Sequence, residues 1–316
     1  MEFIHGYNQY RKSGSEAPLA LAIGMFDGYH LGHREVVRMA ARLADASHPK
    51  GISAAFTFNV HPSSVVRPDR TPKLIYPLAK KIECLESAGI DYACVVDFTE
   101  ELCRLSAEDF VISLTKAFPN LQHICVGRDF GFGHRRLGDV SLLQSIGPAL
   151  GFRVHEIPAV KVNGTNVSST HIRKLLSTGK LNEAEAMIGR KPSISGIVAE
   201  GRRLGRTIGV PTANIDVDGL CLPPFGVYAG LTRVQNQQYP SVMNLGVRPS
   251  VKDSQSSPNV ANAEIHILNF SEDLYGESLE FTLMDFLRPE KKFDSLDLLK
   301  KQIQIDIQST SRFFDS

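Results

Sequence analysis

Apolar residues follow two different rhythms along this chain, and the change from one to the other near residue 187 divides it. Before that point, short apolar runs alternate with stretches of helical periodicity. The runs 19–23 (Leu-Ala-Leu-Ala-Ile), 51–58, 92–97, 124–126 and 153–157 are of the kind a buried parallel strand shows. Between them, 34–46 places Val36, Val37, Ala40 and Leu43 on one helical face, 78–88 is amphipathic and stopped by Gly89, and 106–117 opens with a Ser106/Asp109 capping pair. This alternation predicts an α/β domain with a doubly wound parallel sheet. After residue 187 the apolar positions fall into short runs bounded by turn residues: 193–199, 226–234, 239–245, 263–268 and 279–284. They predict a small antiparallel β-barrel. One amphipathic helix over 296–307, with Leu296, Leu299 and Ile303 facing inward, completes it. The expected domains are 1–186 and 187–316.

The first strand runs into Gly-Met-Phe-Asp-Gly-Tyr-His-Leu-Gly-His at 24–33. In α/β proteins ligands bind beyond the carboxyl ends of the strands. Gly24 and Gly28 let this backbone bend and approach a ligand closely, with Phe26 and Asp27 between them and Gly32 a further phosphate-binding position. His30 and His33 stand three residues apart at the helix start, where ring N–H groups and unpaired backbone N–H groups suit phosphate oxygens, or where one ring caps the helix and the other packs. Two roles are open to Asp27, turn former or partner of the histidines. His61 follows the next strand in Asn-Val-His-Pro at 59–62. The segment 127–136 brings three glycines and three arginines together with Asp129 and Phe130. That composition fits a mobile loop around charged ligand groups, or a solvated hairpin. Ser168, Ser169 and Thr170 precede a helix expected over 172–177, with Ser169 or Thr170 as its N-cap and Arg173 in its first turn. Hydroxyls and a guanidinium in that arrangement suit a triphosphate.

In the second half, 200–214 reads as one loop with Gly201, Gly205 and Arg206, a composition that fits a phosphate cradle or a basic hairpin equally, and ends in Pro-Thr-Ala-Asn. Thr212 and Asn214 offer oxygen donors of the kind Mg²⁺ prefers. Glu264 lies on a strand, where it is either a base fixed on a rigid element or an exposed carboxylate facing solvent; for Arg288 and Lys291 or Lys292 two places are open, beside a ligand or solvating a loop, and solvation is favoured.

Composition narrows the reading. Among 316 residues, 35 Lys and Arg balance 34 Asp and Glu, so no global field recruits nucleic acid or an anionic membrane. Five scattered cysteines without a C-x-x-C pair argue against a disulfide framework or zinc site. With no signal-like N-terminus and no apolar run of about 20 residues, a cytoplasmic protein is expected. Nothing indicates the oligomeric state.

The 24–33 pattern G-x-F-D-G-x-H-x-G-H resembles the signature of HxGH nucleotidyltransferases, and in this full form the adenylyltransferase domain of bacterial bifunctional riboflavin kinase/FAD synthetases. The segments around His61, Phe130 and Arg173 follow in that family's order. Pro211-Thr212-Ala213-Asn214, Gly226-Val227-Tyr228, 244–250, Glu264-Ile265-His266 and 273–276 resemble its riboflavin kinase half. The resemblance implies phosphorylation of riboflavin to FMN by residues 187–316 and adenylylation of FMN to FAD by residues 1–186, with ATP as second substrate and Mg²⁺ as cofactor. It implies that His30, His33 and Arg173 act in adenylyl transfer, with Ser168, Ser169 and Thr170 on ATP. Glu264 would be the kinase's general base and Thr212 and Asn214 its metal ligands, while His61, Asp129, Phe130, Asn244 and Arg248 would approach the flavin. Departures from the family pattern are Asn59-Val60 before His61, Gly131 where Arg is usual, Val210 for Phe and Ser250 for Thr. The alternatives are a chain with one active domain, or a flavin sensor or carrier without turnover.

Overall fold

The computed structural model describes residues 1–6, 9–10, 16–199, 209–247 and 261–315. They form two compact units, Met1–Leu74 with Leu78–Ser169, and Ile75–Pro77 with Thr170–Ser316.

In the first unit, strands β1 (Glu2–His5), β2 (Leu19–Ile23), β3 (Ile52–Phe58), β4 (Tyr92–Val96), β5 (Leu121–Gly127) and β6 (Arg153–Ile157) build one sheet in the order β1-β4-β3-β2-β5-β6. Every pairing in it is parallel. Helices α1 (Leu31–Ala46), α2 (Ser63–Val66), α3 (Leu78–Ser87), α4 (Glu100–Arg104), α5 (Ala107–Ala117) and α6 (Val140–Ile146) connect the strands. Alternate residues of β2 face opposite ways: Leu19, Leu21 and Ile23 pack with Phe110, Val111 and Leu114 of α5, and Ala20 and Ala22 with Val36, Val37 and Ala40 of α1. A strand covered on both faces reads as a continuous apolar run, which is why 19–23 was legible. Strand order reverses between β2 and β5, and the turn after β2 stands at that switch point, where open α/β sheets form their ligand crevice. The short edge strand β1, which no apolar run announced, pairs with β4. Strands β7 (Lys161–Val162) and β8 (Thr165–Asn166) make a separate hairpin.

The second unit holds most of α7 (Ser169–Ser177), then α8 (Leu181–Ile188) and the strands β9 (Ser193–Ala199), β10 (Ala213–Asp216), β11 (Gly226–Val234), β12 (Gln237–Val247), β13 (Ala261–Ile267) and β14 (Ser278–Pro289). The strands close into an antiparallel barrel in the order β10-β13-β12-β11-β14-β9. Ile215, Tyr228, Met243, Leu245, Ile265, Phe281 and Leu283 fill its interior. Helix α9 (Leu296–Asp315) packs on β11 and β12.

Three expectations are corrected here. Helix α7 starts at Ser169, not at 172, because Ser169 and Thr170 take helical positions themselves. Leu296 is 67 % exposed: the inward stripe of α9 begins a turn later and centres on Asp306 and Thr310, both buried. Arg288 does not solvate a loop. Its Nε donates to Asp306 Oδ1 and Oδ2 at 3.0 and 3.1 Å, and its Nη2 to Oδ2 at 2.7 Å. Gln302 Nε2 donates to the same carboxylate at 3.0 Å. Removing one member of such a pair leaves the other charge buried and unmatched. Asp306→Ala is therefore expected to destabilise the barrel by about 2–3 kcal/mol, below the cost for a fully enclosed pair because Arg288 retains some exposure. Denaturant unfolding followed by circular dichroism measures it.

Candidate functional site

The turn from Gly24 to His30 is tightly wound. Phe26 (φ 50°) and Tyr29 (φ 36°) adopt left-handed backbone as non-glycine residues, and Gly28 (φ 76°) lies between them. Such conformations persist where surrounding structure imposes them. Gly24 is required by contact: a Cβ there would stand 2.8 Å from the Phe26 ring. Phe26 and Asp27 are each 1 % exposed, so both are parts of the turn's interior.

His30 is the N-cap of α1, its Nδ1 accepting the His33 backbone N–H at 3.3 Å. A ring whose Nδ1 accepts carries its proton, when neutral, on Nε2, which makes Nε2–H the donor. The two imidazoles stack at 3.6 Å between centroids, 15° from parallel, and Phe26 meets His33 edge-on at 5.4 Å. The sequence predicts two projecting histidines; the structure joins them into one stacked pair at a helix N-terminus, where backbone N–H groups and the helix dipole favour anions.

Ser169 Oγ donates to the Asp27 carbonyl at 2.9 Å. Ser169, the last residue of the first unit, is thereby tied to the histidine turn and is not the acceptor of an N-cap bond. Ser168 is half-buried just ahead of α7, Thr170 is exposed, and Arg173 lies one turn into the helix, its carbonyl accepting the Cys221 thiol at 3.6 Å. His61 Nδ1 accepts the Ser63 N–H at 3.1 Å, just ahead of α2. Phe130 stacks on Phe132 at 5.5 Å, and Asp129 is exposed with its carbonyl accepting Arg136 Nη2 at 3.3 Å. The Arg136 guanidinium occupies the space beside Gly131, where a Cβ would meet Nε at 2.9 Å. Gly32 is also constrained, since its Cβ would approach His30 Cε1 at 3.2 Å.

In the barrel, Asn214 belongs to β10 and not to the loop the sequence suggested. Register places Glu264 of β13 directly between Asn214 of β10 and Asn244 of β12. All three alternate with interior residues, which puts them together on the outer face. Asn262, two residues before Glu264, donates through Nδ2 to Glu264 Oε1 at 3.0 Å and to Asn214 Oδ1 at 3.2 Å. One amide thus joins the expected base to an expected metal ligand. Sequence reasoning missed Asn262, although strand alternation would have put it on the face of Glu264. His266 continues that face, with the Pro211 carbonyl 2.8 Å from its Nδ1. Thr212 lines a cavity of about 450 Å³ whose wall includes Pro211, Phe270, Asp273 and Tyr275. Gly201, Gly205, Arg206 and Arg248 lie outside the described residues.

Both halves have counterparts among known proteins. Residues 12–171 match the family model for FAD synthetase and residues 188–314 that for riboflavin kinase. A Buchnera aphidicola protein, described as bifunctional riboflavin kinase/FMN adenylyltransferase, is 33% identical over 317 residues, 100% of this chain and 99% of its own length. The chain belongs to the bifunctional riboflavin kinase/FMN adenylyltransferase family. The Escherichia coli K12 member of that family is 33% identical over 316 residues, covering 99% of this chain and 98% of its own. A crystal structure of a protein from Streptococcus pneumoniae, described as a macrolide-efflux protein, superposes with a TM-score of 0.80 at 29% identity, covering 98% of this chain and 99% of that one. In this family member, no helix among the described residues is long and apolar enough to cross a membrane.

Proposed function

We infer that the chain makes both flavin cofactors, phosphorylating riboflavin to FMN with ATP and then adenylylating FMN with a second ATP to give FAD and pyrophosphate. The observation that carries this reading is the end-to-end match to relatives named for both activities. The kinase is assigned to residues 187–316 and the adenylyltransferase to residues 1–186, in the cytoplasm.

In the kinase, Glu264 accepts the proton of the ribityl 5′-hydroxyl as its oxygen attacks the γ-phosphorus of ATP, and ADP departs. A base serves best when its carboxylate is held in one orientation on a rigid element. Strand β13 supplies the element, and the bond from Asn262 holds the orientation. Asn214 Oδ1 and the Thr212 hydroxyl form a neutral oxygen-donor set beside this base, which fits Mg²⁺ better than softer metals. Bound there, Mg²⁺ would neutralise phosphate charge.

In the adenylyltransferase, a phosphate oxygen of FMN attacks the α-phosphorus of ATP. No covalent nucleophile is needed, so positioning and charge neutralisation do the work. His30 Nε2–H and His33 donate to phosphate oxygens as charge develops on them, the N-terminus of α1 adding its backbone N–H groups. Arg173, Ser168, Ser169 and Thr170 hold the β- and γ-phosphates.

The test incubates the pure chain with riboflavin, ATP and Mg²⁺ and separates the flavins over time. FMN appearing first and then converting to FAD is the expected result. FMN alone, or FAD only from added FMN, would leave one active domain. Flavin binding without either product would make the chain a carrier or sensor.

A further inference from the structure

One buried charge has no part in the chemistry above. Lys81, on α3, is 2 % exposed and among the largest fully enclosed side chains of the chain. Its ammonium donates to the Met25 carbonyl at 3.1 Å, the Phe58 carbonyl at 2.6 Å and Thr57 Oγ1 at 3.3 Å. Thr57 Oγ1 in turn donates to the same Met25 carbonyl at 3.0 Å. An ammonium has three N–H groups, and here all three are used on neutral acceptors.

This is a costly way to fill a core position. Enclosing an ammonium without a hydrogen-bonded carboxylate is unfavourable, and an unbranched apolar side chain would pack in the same channel. Burial pulls the Lys81 ammonium down to about 8, opposed by the negative charge of Asp27.

Its contacts explain why a cation is kept there. Met25 lies in the turn between β2 and His30, immediately before Phe26, the first of that turn's two non-glycine residues with left-handed backbone. Phe58 ends β3, the neighbouring strand, and Thr57 precedes it. Lys81 and Thr57 thus fasten the turn to the carboxyl end of β3. A hydrogen-bonded carbonyl on the residue preceding a strained one restricts the peptide plane that the strain would otherwise rotate.

We propose that Lys81 is a positioning residue for adenylyl transfer: by holding the Met25 carbonyl it fixes the Gly24–His30 turn and with it the stacked His30/His33 pair. The proposal rests on the adenylyltransferase reading above. Lys81 does not touch the reacting atoms. It sets where the two imidazoles stand.

The test uses the full chain with Lys81→Met. Kinase turnover in the same molecule is the internal control for active protein concentration, and a circular-dichroism melting curve checks that the first unit is folded. The expected result is unchanged riboflavin phosphorylation, FMN adenylylation lowered about 100-fold in kcat, the scale of an ångström's misplacement, and a KM for ATP within about threefold. A second readout needs no turnover. In protein labelled at histidine Cε1, the His30 and His33 ring signals, assigned by substitution, are expected to move in Lys81→Met because each ring lies in the other's ring current at 3.6 Å, while the remaining histidine signals stay in place. If Lys81→Met fails to fold, Thr57→Val removes one link of the same clamp, and it is expected to move the same two signals and lower adenylylation kcat. Adenylylation at the unsubstituted rate in a folded variant, or unmoved His30 and His33 signals, overturns the proposal. Absence of FAD from the unsubstituted chain would instead overturn the adenylyltransferase reading, and the ring signals would still decide the role of Lys81.

Discussion

Glu264→Gln is expected to lower kcat for riboflavin phosphorylation by about 10²- to 10⁴-fold, the usual contribution of a general base, while FMN adenylylation by the same molecule stays at its original rate. The substitution isolates the proton-accepting function. Glutamine has the shape of glutamate, and its Oε1 can still accept the bond that Asn262 Nδ2 makes to Glu264 at 3.0 Å. What it loses is basicity. A group that acts only as the reaction proceeds affects kcat far more than KM. Separate assays with riboflavin and with FMN as the starting flavin check both halves. A Glu264→Gln chain that phosphorylates riboflavin normally would show that Glu264 is an ordinary outward-facing strand carboxylate, and the base would have to be sought elsewhere.

The legible parts of the chain were those where local pattern and tertiary role coincide. Strand β2 declared itself because it is covered on both faces, and the turn after it because glycines and histidines have few other reasons to be so spaced. The barrel's strands were found except β10, whose outward residues Asn214 and Asp216 gave it the polarity of the loop before it. The same strand turned an expected metal-ligand pair into one side of a row with Glu264 and Asn244. That row is a matter of register between strands about 20 to 50 positions apart, which no local pattern records. Lys81 was invisible for a different reason. In an amphipathic helix a lysine is assigned to the wet face, and only the carbonyls of Met25 and Phe58, reached through the fold, show why this one is inside. The Arg288–Asp306 pair likewise joins a strand to a helix that the sequence treated separately.

His33→Ala is expected to lower FMN adenylylation by about 10²- to 10³-fold, the range seen when one preorganised donor is taken from a site that stabilises developing charge, with riboflavin phosphorylation unchanged. It is a cleaner substitution than His30→Ala. The His30 ring caps α1 through Nδ1, so its removal also costs about 1 kcal/mol of N-cap stabilisation. The capping bond is made to the His33 backbone N–H, which His33→Ala retains, so His33→Ala should melt closer to the unsubstituted protein than His30→Ala does. Melting curves and adenylylation rates measured side by side therefore separate the two roles. Because the rings stack at 3.6 Å, each also supports the other's position. The double variant should then lose less than the product of the two single losses, as residues acting as a unit do. Strict multiplication of the single effects would mean that the histidines act independently on different phosphate oxygens, and their stacking would be a feature of packing and not of catalysis.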